Sequence, residues 1–163
     1  MGRKKRWFLL NFVLVSFKLL DVCLGLGLTI VGDVVALDEV YIESVCRNNF
    51  SEKKVIVGVI YNYLLRRSEC VGVDDFCRLY ILIDISEFFL PNRNGIIFPI
   101  LFKIVDDWKI LCQYNSGGVV YEYLVGSLWN TSLVLKKQRH RKHFHVVGCV
   151  YLLQVKHIYL HDN

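Results

Sequence analysis

From residue 52 onward, the chain alternates between short apolar runs and polar segments. The runs are rich in Val, Ile, Tyr and Phe, which are the residue types that favour β-strands. Several runs are apolar at successive positions, as in strands buried on both faces, and a buried helix segment has the same pattern. We predict seven strands, at residues 55–65, 79–86, 95–105, 108–114, 119–125, 132–137 and 145–155.

Two polar segments have the composition of turns, PNRNG at residues 91–95 and NSGG at residues 115–118. Gly and Asn accept the positive φ angles that tight reversals need. The second segment predicts a hairpin with a four-residue loop, which would join the strands on either side of it.

Residues 1–37 follow a different pattern, in which a basic head at residues 3–6 precedes a long apolar run. This order is typical of a signal peptide or a signal anchor. The sixteen Leu, Ile, Val and Phe residues between positions 7 and 32 favour membrane insertion by about 7 kcal/mol, and Lys18 and Asp21 oppose it by nearly as much. These two residues stand three apart, so on a helix they share a face and can pair.

The predicted fold class is therefore α+β, with an N-terminal apolar helix followed by a β-rich single domain. A length of 163 residues fits one such domain. We place the signal-anchor-like helix and its basic head at residues 1–37 and the β-rich body at residues 38–163. Two alternatives for the N-terminal segment are a buried core helix over residues 7–32 and a signal that is cleaved after Gly27.

Composition excludes disorder and raises a separate hypothesis. Hydrophobic residues make up 54% of the chain and charged residues 21%, so it can bury a large core. It contains one Ala and two Thr, whereas Leu, Val, Ile and Phe are abundant. The abundant residues share T at the second codon position and the scarce ones share C. A skewed genome produces this bias, and so does a spurious open reading frame with no selected function.

The net charge of +5 comes from two short clusters. One is the basic head, and the other is the basic segment at residues 136–145. The 11 remaining Lys and Arg residues are outnumbered by 15 Asp and Glu residues, so we do not expect a nucleic-acid partner. The basic segment predicts a patch for an anionic partner, such as anionic lipid, formed by Lys136, Lys137, Arg139, Arg141 and Lys142.

Asn49 and Asn130 begin N-x-S/T sequences, which are acceptors for N-glycosylation. Positive residues before the apolar run and acidic residues after it would leave the body in the lumen, where glycosylation occurs. The sequence therefore predicts a glycoprotein with acceptor sites at these two residues.

No motif indicates catalysis or a cofactor. The chain has no C-x-x-C, no H-E-x-x-H and no nucleophile elbow. His140, His143 and His145 form an imidazole-rich run with Cys149, but the neighbouring cations disfavour a bound metal ion. We predict no catalytic residue, no metal and no cofactor.

The sequence leaves three hypotheses for function. The first is a non-enzymatic protein that is lumenal or attached to a membrane by its N-terminal helix, located in the membrane as a single-pass protein or in the secretory pathway. The second is a soluble protein that binds anionic partners, nucleic acid or lipid head groups, through residues 136–145. The third is the spurious open reading frame.

Overall fold

The fold was obtained as a computed structural model, which describes residues 7–10, 13–39, 43–67, 69–137 and 146–154. Within these ranges, two strands, β1 (Trp7–Leu10) and β2 (Val13–Ser16), precede five α-helices. The helices are α1 (Leu19–Leu26), α2 (Val57–Arg67), α3 (Val73–Asp84), α4 (Pro99–Asp106) and α5 (Ser116–Lys137). A π-helix (Ile85–Phe89) continues α3, 3₁₀-helices span Arg47–Asn49 and Trp108–Gln113, and residues 151–154 form a last helical turn.

The prediction of a β-rich α+β domain is wrong, because the described body is helical. The predicted strands lie on α2, on α3 with the π-helix, on α4, on a 3₁₀-helix and on α5, and the described part of 145–155 contains no strand. Val and Ile are so frequent throughout this chain that β-propensity cannot distinguish its segments. Buried residues recur at helical spacing instead, as Val57 and Ile60 do in α2.

The N-terminal apolar run is also not the single helix that we predicted. Strands β1 and β2 pair antiparallel, with Trp7 opposite Ser16. Helix α1 begins after Lys18, whose backbone N–H donates to Oδ2 of Asp21 at 2.8 Å. A negative charge in the first turn stabilises this helix start. The pairing of these two residues thus starts a short helix and does not stabilise a long one.

Within the described ranges, no helix has both the length and the apolar character needed to cross a membrane. The transmembrane and signal-anchor predictions are therefore wrong, and so is the prediction of membrane attachment through an N-terminal helix. The localisation in the membrane or the secretory pathway depended on that helix and is withdrawn with it.

The predicted hairpin at residues 115–118 is replaced by the start of a helix. Oδ1 of Asn115 accepts the backbone N–H of Gly118 at 2.8 Å, and the carbonyl of Asn115 accepts that of Val119 at 3.2 Å. Asn is favoured at this position because its short side chain satisfies an N–H group that has no partner within the helix. The same residue type that suggested a turn therefore caps α5.

Helix α4 lies in the middle of the hydrophobic core. It begins with Pro99, which suits the first helical position because proline fixes φ and has no N–H group to satisfy. Five of its eight residues are buried, namely Ile100, Leu101, Phe102, Ile104 and Val105. The same core includes Phe17 and Val22 from the N-terminal part and Leu124 of α5.

Candidate functional site

An apolar cleft lies where the segment after α1 meets α3, the π-helix, α4, the second 3₁₀-helix and the start of α5. Its volume is about 310 Å³, which is at the lower end for sites that bind small molecules. Most of the lining side chains are apolar, namely Leu28, Val35, Ile81, Ile85, Phe89, Leu90, Leu101, Ile104, Leu111, Val119 and Val120. The other lining residues are Gly27, Thr29, Asp84, Cys112, Tyr114 and Ser116.

One wall of the cleft is formed by the chain after α1, and hydrogen bonds fix it to the start of α5. The backbone N–H of Asp33 donates to the carbonyl of Gln113 at 2.8 Å, and that of Asn115 donates to the carbonyl of Asp33 at 2.9 Å. Gly32 adopts φ 136° beside Gln113, in a position where a Cβ atom would lie 2.2 Å from the carbonyl oxygen. Only glycine fits this approach.

Two hydroxyl groups on this wall form hydrogen bonds with each other and with the backbone. Oγ1 of Thr29 lies 2.9 Å from Oγ of Ser116, and Thr29 also donates its proton to the carbonyl of Tyr114. Oγ of Ser116 accepts the N–H of Thr29 at 3.2 Å. Since the proton of Thr29 goes to Tyr114, the proton of Ser116 goes to Thr29. Neither hydroxyl retains a proton for a ligand.

The opposite wall comes from the end of α3 and from the π-helix. The N–H of Leu90 donates to the carbonyl of Ile85 at 2.8 Å, which is the five-residue spacing of a π-turn. This segment contributes Ile85 and Phe89 to the lining. π-turns occur frequently at functional sites. No feature of the sequence distinguished this segment, because it falls partly in the predicted strand at 79–86.

Asp84 supplies the carboxylate of the cleft. It is exposed to solvent, and no hydrogen bond or ion pair joins its side chain to another described residue. In the described part of the chain, no Lys, Arg or His lines the cleft. The fixed charge at its edge is therefore negative.

The buried thiols lie outside the lining of the cleft. Burial first, and then the negative charges of Asp106 and Asp75, raise the pKa of Cys46 to about 12. Burial also raises the pKa values of Cys23 and Cys149. Because a thiol reacts as its thiolate, these three cysteines are unsuited to nucleophilic chemistry at neutral pH. Cys112, which lines the cleft, is exposed.

The residues singled out in the sequence lie elsewhere. Asn49 is exposed in the first 3₁₀-helix and Asn130 is exposed on α5, so glycosylation at these sites stays a prediction. Lys136 and Lys137 end α5, whereas the other members of the anionic-partner patch, Arg139, Arg141 and Lys142, lie outside the described residues. That patch also stays a prediction.

Metal ligands were not predicted, and among the residues that can be described no group of three or more His, Cys, Asp or Glu side chains could hold a metal ion. His140, His143 and His145 fall outside the described ranges. Cys149 of the same run is buried in the core.

The cleft itself was missed because its residues are dispersed along the chain. They extend from Gly27 to Val120 and come together only through the packing of the helices. A local motif cannot reveal such a site.

No protein-family model, curated protein or solved structure matches this chain. The comparisons therefore identify no function.

Proposed function

We propose that this chain is a non-enzymatic protein that binds a small, largely apolar molecule in the apolar cleft. The observation that carries the proposal is a cavity of about 310 Å³ with apolar walls. An apolar cavity of about 150 Å³ in another protein binds benzene, so this cleft has room for roughly two aromatic rings. Naphthalene has the corresponding size.

The polar groups of the wall support an apolar ligand. The hydroxyls of Thr29 and Ser116 use their protons in the network with Tyr114. A ligand that needed those protons would have to break hydrogen bonds that fix the wall. An apolar ligand leaves the network intact and gains free energy through the surface that it removes from water.

The same network supports binding without chemistry. A serine or threonine nucleophile requires a base that takes its proton. Here each hydroxyl is paired with the other hydroxyl or with the backbone. We therefore expect a bound molecule to be released unchanged, and mass spectrometry of the recovered ligand checks this expectation.

A fluorescence titration with 1-methylnaphthalene tests the proposal. Val119 lines the cleft, so Val119→Phe should fill part of it and weaken binding by about tenfold or more. Val73 is 79% exposed on α3 and provides a matched control, because Val73→Phe adds the same group away from the cleft. Circular dichroism confirms that both variants keep the helical content of the parent.

Saturable binding that Val119→Phe weakens and Val73→Phe preserves would support the cleft as the site. If the parent protein shows no saturable binding, or if both variants lose it equally, the proposal is wrong.

A further inference from the structure

We infer that the ligand of the apolar cleft is an organic cation, with an apolar body and one ammonium group that Asp84 recognises. This inference rests on the proposed function and adds the charge of the ligand. It comes from the position of Asp84, which is the one acidic or basic residue among the described residues that line the cleft.

Asp84 stands between two apolar lining residues, Ile81 one turn earlier and Ile85 immediately after it. A ligand that packs against these side chains therefore lies next to Asp84. Since Asp84 is exposed and joined to no other described side chain, that carboxylate can accept a hydrogen bond from the ligand.

Basic residues do not offset this charge within the lining that the structure describes. Lys103 on α4 and Lys109 on the second 3₁₀-helix belong to elements that form the cleft, but both are exposed and absent from the lining. The cleft is therefore selective by charge, because it attracts a cation and repels a carboxylate of the same shape.

Because Asp84 is exposed, an ion pair between its carboxylate and the ammonium group of the ligand is weak but favourable. An ammonium group at the edge of the cleft keeps part of its hydration, so the desolvation cost that penalises buried ion pairs is small. An exposed ion pair changes an affinity by about two- to fivefold. Attraction of the cation and repulsion of the anion together give about a tenfold ratio between matched ligands.

Three probes with the same ring system isolate the charge, namely 1-naphthylmethylamine, 1-methylnaphthalene and 1-naphthoate. In low salt at neutral pH, we expect the amine to bind about tenfold more tightly than the naphthoate. Asp84→Asn should reduce this ratio to about two or less. Added salt should reduce the ratio in the parent protein, because salt screens exposed charges.

Asp74→Asn is the matched control, since Asp74 is exposed on the same helix and does not line the cleft. This variant should keep the preference for the amine. If 1-methylnaphthalene binds but the amine is not preferred, or if Asp84→Asn keeps the preference, the inference is overturned while the proposed function stands. If none of the three probes binds the parent protein, both fail.

Discussion

At Gly117, helix α5 approaches the first helix and the loop after it more closely than any side chain would allow. A Cβ atom at this position would lie 2.3 Å from Sγ of Cys23 and 2.9 Å from the carbonyl oxygen of Thr29. The backbone N–H of Gly117 also donates to that carbonyl at 2.9 Å. The absence of a side chain here allows the wall of the cleft to form.

We therefore expect Gly117→Ala to lower the free energy of unfolding by about 1–3 kcal/mol, the usual cost of overpacking. Gly126 lies in the same helix with nothing within 4 Å of its Cβ position. Gly126→Ala should raise the free energy of unfolding by about 0.5–1 kcal/mol, because alanine restricts the unfolded chain. Urea unfolding measures both, and equal effects of the two substitutions would contradict the close approach at Gly117.

The thiol of Cys46 connects stability to pH. Burial, and then the negative charge of Asp106, raise the pKa of this thiol from about 9 to about 12. The Asp106 carboxylate also accepts the backbone N–H of Cys46 at 2.8 Å. The unfolded chain loses the Cys46 thiol proton near pH 9, whereas the folded protein retains it up to about pH 12. Between pH 9 and pH 12 the folded state therefore binds more protons than the unfolded state. Its contribution to stability is complete below pH 9 and declines as the pH rises toward 12.

We expect the free energy of unfolding of the parent to fall relative to that of Cys46→Ala above about pH 9, with a slope that approaches 1.4 kcal/mol per pH unit. Cys23 and Cys149 are present in both proteins, so their contributions cancel in the difference. Chemical unfolding at several pH values provides the measurement. Parallel curves for the two proteins from pH 7 to 11 would show that this thiol is not buried as described.

At the scale of elements, the start of α5 depends on Asn115. We expect Asn115→Ala to lower the free energy of unfolding by about 1 kcal/mol, because the N–H of Gly118 loses its acceptor. Asn115→Asp keeps an acceptor and should retain most of the stability. Asn94 is exposed in the turn at 91–95, and Asn94→Ala serves as the control in thermal unfolding. If the alanine variants at both positions are equally stable, Asn115 does not cap the helix.

Some local features of these elements could be predicted from the sequence. The turn at 91–95 is confirmed, since Oδ1 of Asn92 accepts the N–H groups of Asn94 and Ile96, both at 3.1 Å. These contacts extend over a few residues, so residue type alone predicts them. For Lys18 and Asp21 the sequence predicted a pair on one face of a long helix, whereas the backbone N–H of Lys18 donates to the Asp21 carboxylate at the start of a short one.

Whether the longer elements are helices or strands could not be predicted, because this depends on how distant segments bury them. Residues 95–105 have the β-branched composition of a strand, yet most of them form α4, whose buried face contacts α3. In a chain this rich in Val and Ile, composition favours strands everywhere, and tertiary packing decides between helix and strand.

At the scale of the whole molecule, the cleft depends on residues from six segments that meet between the helices. The wall at residues 28–35 is held by the start of α5, and the opposite wall is a π-turn at the end of α3. No single segment would indicate a site, which is why the sequence favoured a protein without one. The hypothesis of an unselected reading frame predicts no specific ligand site, so a binding measurement also tests that hypothesis.

The most direct test is a titration of the methyl-labelled protein with 1-methylnaphthalene, followed by NMR. If the cleft binds the probe, saturable shifts should be largest at the methyl groups of Ile85, Ile104 and Val119, which line it. The methyl groups of Leu65 and Val73, which are 76% and 79% exposed outside the cleft, should be unaffected. An absence of saturable shifts, or shifts largest at Leu65 and Val73, would contradict binding in the cleft.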